Sequence, residues 1–186
     1  MTSQPTDTAR DTVSNTARDA AGDTARDAAP GAARDARRDF DFLHGTWRIG
    51  HRRLKERLTG CQDWEEFSTD LRCYPILGGA GNIDEGAFPS RGYDAMSLRL
   101  YDEHEQAWSI FWVTSLSAVI DPPVIGRFDD DGIGEFLGPD THNGMPVLVR
   151  YRWSEITAVS VRWEQALSTD EGQTWEINWV MNLTRT

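Results

Sequence analysis

No stretch of this sequence approaches the roughly 20 apolar residues that a membrane-spanning helix needs, so no such helix is expected. Cysteine is scarce. Cys61 and Cys73 lack a CxxC spacing, and no partner set around them suggests a zinc site. Free thiols and no metal are therefore expected. The opening Met-Thr-Ser-Gln-Pro-Thr-Asp has neither a basic n-region nor an apolar h-region. The reading is a cytoplasmic protein rather than an exported one. Basic charge is also short: 19 Lys and Arg stand against 30 Asp and Glu, a net charge of −11. That argues against a nucleic-acid partner, which needs a basic surface to displace phosphate counterions, and against an anionic membrane surface. No segment shows a clear apolar run at helical spacing.

Aromatic residues are missing from residues 1–39, while all eight Trp, seven Phe and four Tyr fall in 40–186. The tail instead carries a repeat of period eight: Thr8-Ala9-Arg10-Asp11, Thr16-Ala17-Arg18-Asp19 and Thr24-Ala25-Arg26-Asp27, degraded at Ala32-Ala33-Arg34-Asp35. Eight residues turn a helix by about 800°, so no single face is built. With Ala and Val13 as its apolar groups, the segment cannot offset the entropy of ordering. Residues 1–39 are expected to be a disordered tail with transient helix, and 40–186 a single folded domain.

What that domain has is short β-branched and aromatic runs with turn signals between them. Strands are expected near 46–58, 63–76, 81–87, 94–102, 106–117, 123–129, 133–138, 145–153, 158–168 and 173–184. Ten short strands with tight turns imply an antiparallel meander, which hides its edges most simply by closing into an up-and-down β-barrel. Alternation assigns inward faces to Val159, Val161, Trp163, Gln165 and Leu167, to Val147, Val149, Tyr151 and Trp153, and to Trp108, Ile110 and Trp112. It likewise turns Met96, Leu98 and Leu100 inward, and Trp175, Ile177, Trp179, Met181 and Leu183. Phe111 and Val113 make their strand apolar on both sides.

Gly45-x-Trp47 on the first strand, with Arg185 on the last, resembles the lipocalin and wider calycin signature. The resemblance implies that Trp47 packs across the closed end of the barrel with Arg185 against it, a closure device held by burial and cation–π contact. Pro75-Ile76-Leu77-Gly78-Gly79, Asn82-Ile83-Asp84-Glu85, Gly126-Arg127-Phe128, Trp163-Glu164-Gln165-Ala166 and Trp175-Glu176-x-Asn178-Trp179 carry a second resemblance. Together they are similar to a bacterial lipocalin-like family labelled domain of unknown function 1579. It covers most of 40–186 and implies a barrel with an internal pocket, but no reaction.

Candidate chemistry is thin. Ser168-x-Asp170-x-Gly172-x-Thr174-Trp175 fits the Asp-box pattern, read as one structural hairpin turn. Asp129-Asp130-Asp131-Gly132 reads as an acidic turn, because Arg127 stands where a calcium loop needs its first acid. His51 shares the face of Trp47 and Ile49, yet Leu54 and Leu58 demand the opposite register; a bulge near Gly50 would reconcile them. Glu85 shares the face of Ile83 and, desolvated inside, would act as a general acid or base. Its other reading is a structural pair with Arg99 or Arg127. Gln165 bonds either a ligand or Tyr151 across the barrel.

The expectation is a barrel binding a small hydrophobic molecule, with Trp112, Tyr151, Trp163 and Trp179 as the lining and Gln165 as an anchor, without a cofactor. One alternative is an isomerase, cyclase or hydrolase using Glu85 or His51. Another is a solidly packed barrel acting as a structural or stress-related module. The oligomeric state stays open.

Overall fold

The computed structural model describes residues 34–186. The disorder expected of the repeats falls, over 1–33, outside the described residues. Ten strands follow: β1 (Gly45–Leu54), β2 (Trp64–Ile76), β3 (Gly81–Phe88), β4 (Tyr93–Asp102), β5 (Ala107–Thr114), β6 (Val124–Phe128), β7 (Gly134–His142), β8 (Met145–Ser154), β9 (Ser160–Ser168) and β10 (Glu176–Arg185). Each pairs antiparallel with its neighbours, and β10 pairs with β1 to close an up-and-down barrel. The expected fold class and strand order are those observed. β1 ends at Leu54 rather than near 58.

The turns follow the local chemistry read from the sequence. Asp170 accepts from the backbone N–H and the hydroxyl of Thr174, and from the Ser168 hydroxyl, while Ser168 Oγ accepts from the Gly172 N–H at 2.8 Å. Four acceptances around two side chains fix the β9–β10 hairpin, which is the structural role expected. Asp129 likewise accepts from the N–H groups of Asp131 and Ile133 to close the β6–β7 turn.

Two face assignments are corrected. On β10 a bulge between Ile177 and Trp179 breaks the alternation. Ile177 turns outward, Asn178 is fully buried, and Trp179 and Leu183 stay buried on the inner side. On β3 and β4 polarity is inverted: Asn82, Asp84, Ser97 and Arg99 are buried, whereas Ile83, Met96, Leu98 and Leu100 are half-buried on the outer side. The reason is mutual neutralisation. Arg99 lies 2.6 Å from an Asp84 oxygen and donates to Asn82 Oδ1 at 3.0 Å, so charges that alternation sends to solvent neutralise one another inside. β1 needs no bulge. Its pairing with β2 and β10 runs unbroken, which carries His51 inward beside Ile49, and Leu54 is buried at the strand's end.

One end of the barrel is sealed. Residues 34–43 run across it through 3₁₀ turns at Ala36–Arg38 and Asp41–Leu43. Phe40, fully buried, meets Trp108, Phe128 and Trp153 edge-to-face at 5.0–5.6 Å. Trp108 donates its indole N–H to the Ala36 carbonyl, and Trp47 donates to that of Leu43 at 2.7 Å. Burial of a side chain such as Phe40 contributes about 2 kcal/mol. Arg185 lies 4.2 Å over the Trp47 ring and donates to the carbonyls of Phe42, His44 and Ala158. Gly45, at φ +120°, leaves room for that guanidinium: an added Cβ would stand 2.7 Å from Arg185 Nη1.

Candidate ligand-binding cavity

Above the sealed end the barrel holds a cavity of about 190 Å³. Cavities of roughly 150 Å³ accommodate a benzene-sized molecule, so the space suits a compact one- or two-ring compound. Its walls come from alternate residues of facing strands. β5 contributes Trp112, β8 Tyr151, β9 Trp163 and Gln165, and β10 Trp179, the residues expected from sequence. Trp112 and Trp179 meet at 87° and Trp163 and Trp179 at 88°, nearly right angles, and Tyr151 tilts at 63° to Trp163. Edge-to-face contacts favour the rings electrostatically.

Gln165 is the polar exception on this wall. It is buried and sits opposite Tyr151 in the β8–β9 register, yet its amide has no hydrogen bond among the described residues. Of the two readings left open by the sequence, the bond to Tyr151 is not the one formed. A buried amide without partners costs free energy unless something in the cavity satisfies it.

His51 also lines the cavity, 3% exposed. Its ring stacks on Phe67 at 4.4 Å, and both nitrogens are engaged. The Trp179 indole can only donate, so His51 Nδ1 accepts from it at 3.1 Å. The proton is therefore assigned to Nε2, which donates to Thr69 Oγ1 at 2.7 Å. Burial, and secondarily the Arg91 cation, hold the His51 pKa down at about 4, so the ring is neutral at pH 7. The hydroxyl proton of Thr69, on the same wall, is left without an acceptor among the described residues.

Glu85 does not reach the interior. It is exposed on the outer side of β3, and its neighbour Asp84 takes the inward position. The sequence reading followed the apolar Ile83, but the Asn82–Asp84–Arg99 network claims that face instead. With Glu85 outside and both His51 nitrogens bonded to protein groups, this pair supplies no interior acid–base couple. The floor is formed by Leu43, Trp153 and the Asp84–Arg99 pair, whose guanidinium lies 5.3 Å from the Phe40 ring centre and 5.4 Å from that of Trp153. Neither Arg99 Nε nor Trp153 Nε1 has a hydrogen-bond partner among the described residues. This floor was missed from sequence, because Arg99 and Asp84 stand in strands where alternation assigns them to solvent.

The far end is the mouth. Arg53, near the end of β1, Arg57, from the β1–β2 loop, and Asp121 and Asp140, from the β5–β6 loop and β7, line it with Pro122 and Pro139. Arg53 lies 4.7 Å over the Trp179 ring. Burial lowers the Arg57 pKa and raises that of Asp121, which Asp140 raises further. The Tyr151 ring meets the cavity while its hydroxyl is enclosed, and burial, then Asp140 and Asp121, push its pKa up.

The other histidines lie elsewhere: His104 is exposed in the β4–β5 turn, His44 precedes β1 and His142 ends β7, all outside the cavity lining. No group of three His, Cys, Asp or Glu capable of holding a metal ion is found among the described residues. Both cysteines are free, and burial raises the Cys73 thiol to about 12. No described helix is long and apolar enough to cross a membrane.

No family model matches the chain. No curated protein matches it either. Among solved structures, an S-type phycobiliprotein lyase from Guillardia theta is similar over 79% of this chain and 90% of that chain, with a TM-score of 0.50 and 13% sequence identity. At that identity the likeness is one of fold alone: a closed, antiparallel up-and-down β-barrel.

Proposed function

We propose that the barrel binds a small, largely apolar, ring-containing molecule in its interior. The observation that carries this reading is the cavity itself: about 190 Å³, walled by Trp112, Tyr151, Trp163 and Trp179, with the Gln165 amide facing it unpartnered among the described residues. A mostly apolar pocket with one or two polar anchors is the ordinary design of a small-molecule site. A barrel serving only as a packed module has no need of such a space, and apolar side chains would stabilise it by filling the cavity. Gln165 and the Thr69 hydroxyl are the orienting groups in this reading. The motifs that resemble family 1579 support the same picture and add no activity. The free cysteines suit a reducing compartment, in keeping with a cytoplasmic protein.

Native mass spectrometry tests the proposal on protein purified from its own host. The expected result is a retained mass, lost on denaturation and lost from a Trp163→Ala, Gln165→Leu double variant that stays folded. Protein that is ligand-free from its host and binds no member of a panel of one- and two-ring aromatics would end the reading.

A further inference from the structure

Four charged side chains surround the mouth: Arg53, Arg57, Asp121 and Asp140. Other arginines that line the cavity or lie beside it are paired: Arg99 with Asp84, and Arg91 with Glu65. The four at the mouth form no ion pair within 4.0 Å, with one another or with any other described residue. Arg53 is occupied by the Trp179 face. Arg57 is half-buried and has no hydrogen-bond acceptor among the described residues. A half-buried guanidinium normally finds a carboxylate or carbonyl, because its donors are costly to leave unmet. Across the opening, Asp140 accepts from the Thr141 N–H, and burial, then the charge of Asp140, raise the pKa of Asp121.

Both charge signs therefore stand at one opening without a direct ion pair between them, above an aromatic-walled space that holds one or two rings. An anion alone would satisfy Arg57 and meet the field of two carboxylates. A cation alone would satisfy the aspartates and meet two arginines. A molecule with both charges on a short stem meets neither penalty, and its ring fills the cavity.

We infer that the ligand is an aromatic zwitterion of amino-acid type, its ring among Trp112, Trp163 and Trp179, its carboxylate on Arg57 and its ammonium on Asp121 and Asp140. This rests on the cavity reading above and names the ligand class for that site. Gln165 and Thr69 face the ring, where they accept from or donate to a ring substituent.

Calorimetric titration of the full chain with four compounds of one skeleton tests it: L-phenylalanine, 3-phenylpropionate, 2-phenylethylammonium and 2-phenylethanol. L-Phenylalanine is expected to bind about tenfold more tightly than either singly charged relative, each half-satisfied mouth losing a charge-assisted hydrogen bond. Arg57→Gln is expected to weaken L-phenylalanine and 3-phenylpropionate and leave 2-phenylethylammonium unchanged. Asp140→Asn is expected to do the reverse. Both positions lie at the rim, and a thermal melt checks that each variant is folded. If 2-phenylethanol binds as tightly as L-phenylalanine and neither variant matters, the zwitterion is refuted and the apolar cavity stands. If only one singly charged relative binds, the site is for that ion and the inference fails. If none of the four binds while a retained ligand is found in native protein, the inference alone fails. If none binds and none is retained, the cavity reading falls with it.

Discussion

The indole N–H of Trp179 donates to Nδ1 of His51 at 3.1 Å, and that one bond sets the polarity of a three-residue chain. It leaves the imidazole proton on Nε2, makes Thr69 an acceptor of it, and turns the Thr69 hydroxyl into a donor for the cavity. Protonating His51 would set two donors against each other at Nδ1.

A stability-versus-pH profile follows. The folded His51 resists protonation until about pH 4, whereas the unfolded chain takes up that proton near 6.5. Its contribution is complete above pH 6.5 and is lost as pH falls from 6.5 to 4, on the order of 3 kcal/mol in all. Urea denaturation across that interval is expected to show a decline that is shallower in His51→Gln. An imidazole resonance of His51 titrating near 6.5 in the folded protein contradicts it.

The Asp84–Arg99 pair is expected to behave as a unit. Asp84→Ala or Arg99→Ala alone strands a buried charge and costs about 3–5 kcal/mol. Replacing both, as Asp84→Leu with Arg99→Met, recovers most of that loss. A double variant no more stable than the singles would mean that the pair holds the floor in shape in some further way.

Gln165→Leu separates stability from binding. The amide has no protein partner among the described residues, so its removal is expected to leave the melting temperature unchanged or raise it. Ligand affinity is expected to fall. A loss of more than about 1 kcal/mol of stability would show that the amide bonds within the protein.

Arg185→Ala removes donors to three backbone carbonyls and the cap over Trp47. The expected cost is about 2–4 kcal/mol in denaturant unfolding, with Arg185→Lys recovering part of it. Gly45→Ala, strained at its positive φ and pressed on the same guanidinium, is expected to destabilise as well. Equal stability of Arg185→Ala and wild type would remove the closure role.

The barrel was legible because period-two patterning and turn residues act locally. Asp170 and Gly172 announce their hairpin wherever the rest of the chain goes. Trp112, Tyr151, Trp163 and Gln165 were placed on the inner wall because their strands obey alternation. The same rule failed where a long-range pairing outweighed it. Nothing near Arg99 in sequence reveals that Asp84 and Asn82 stand across the β3–β4 ladder, so the floor was invisible and Glu85 was taken for its neighbour. The Ile177–Trp179 bulge hid for a similar reason: one extra residue is invisible to a pattern that counts in twos. The mouth charges were missed because Arg57, Asp121 and Asp140 are brought together by barrel closure from positions 83 residues apart at the extremes.

The plug formed by Phe40 and Trp47 has a kinetic consequence. With one end stoppered, traffic through the barrel is single-file: an incoming molecule cannot displace an occupant by pushing it out of the far side. Exchange must wait for spontaneous departure, so the off-rate is independent of competitor concentration. Replacing both rings, as Phe40→Ala with Trp47→Ala, would turn a blind tube into an open one and lift that restriction.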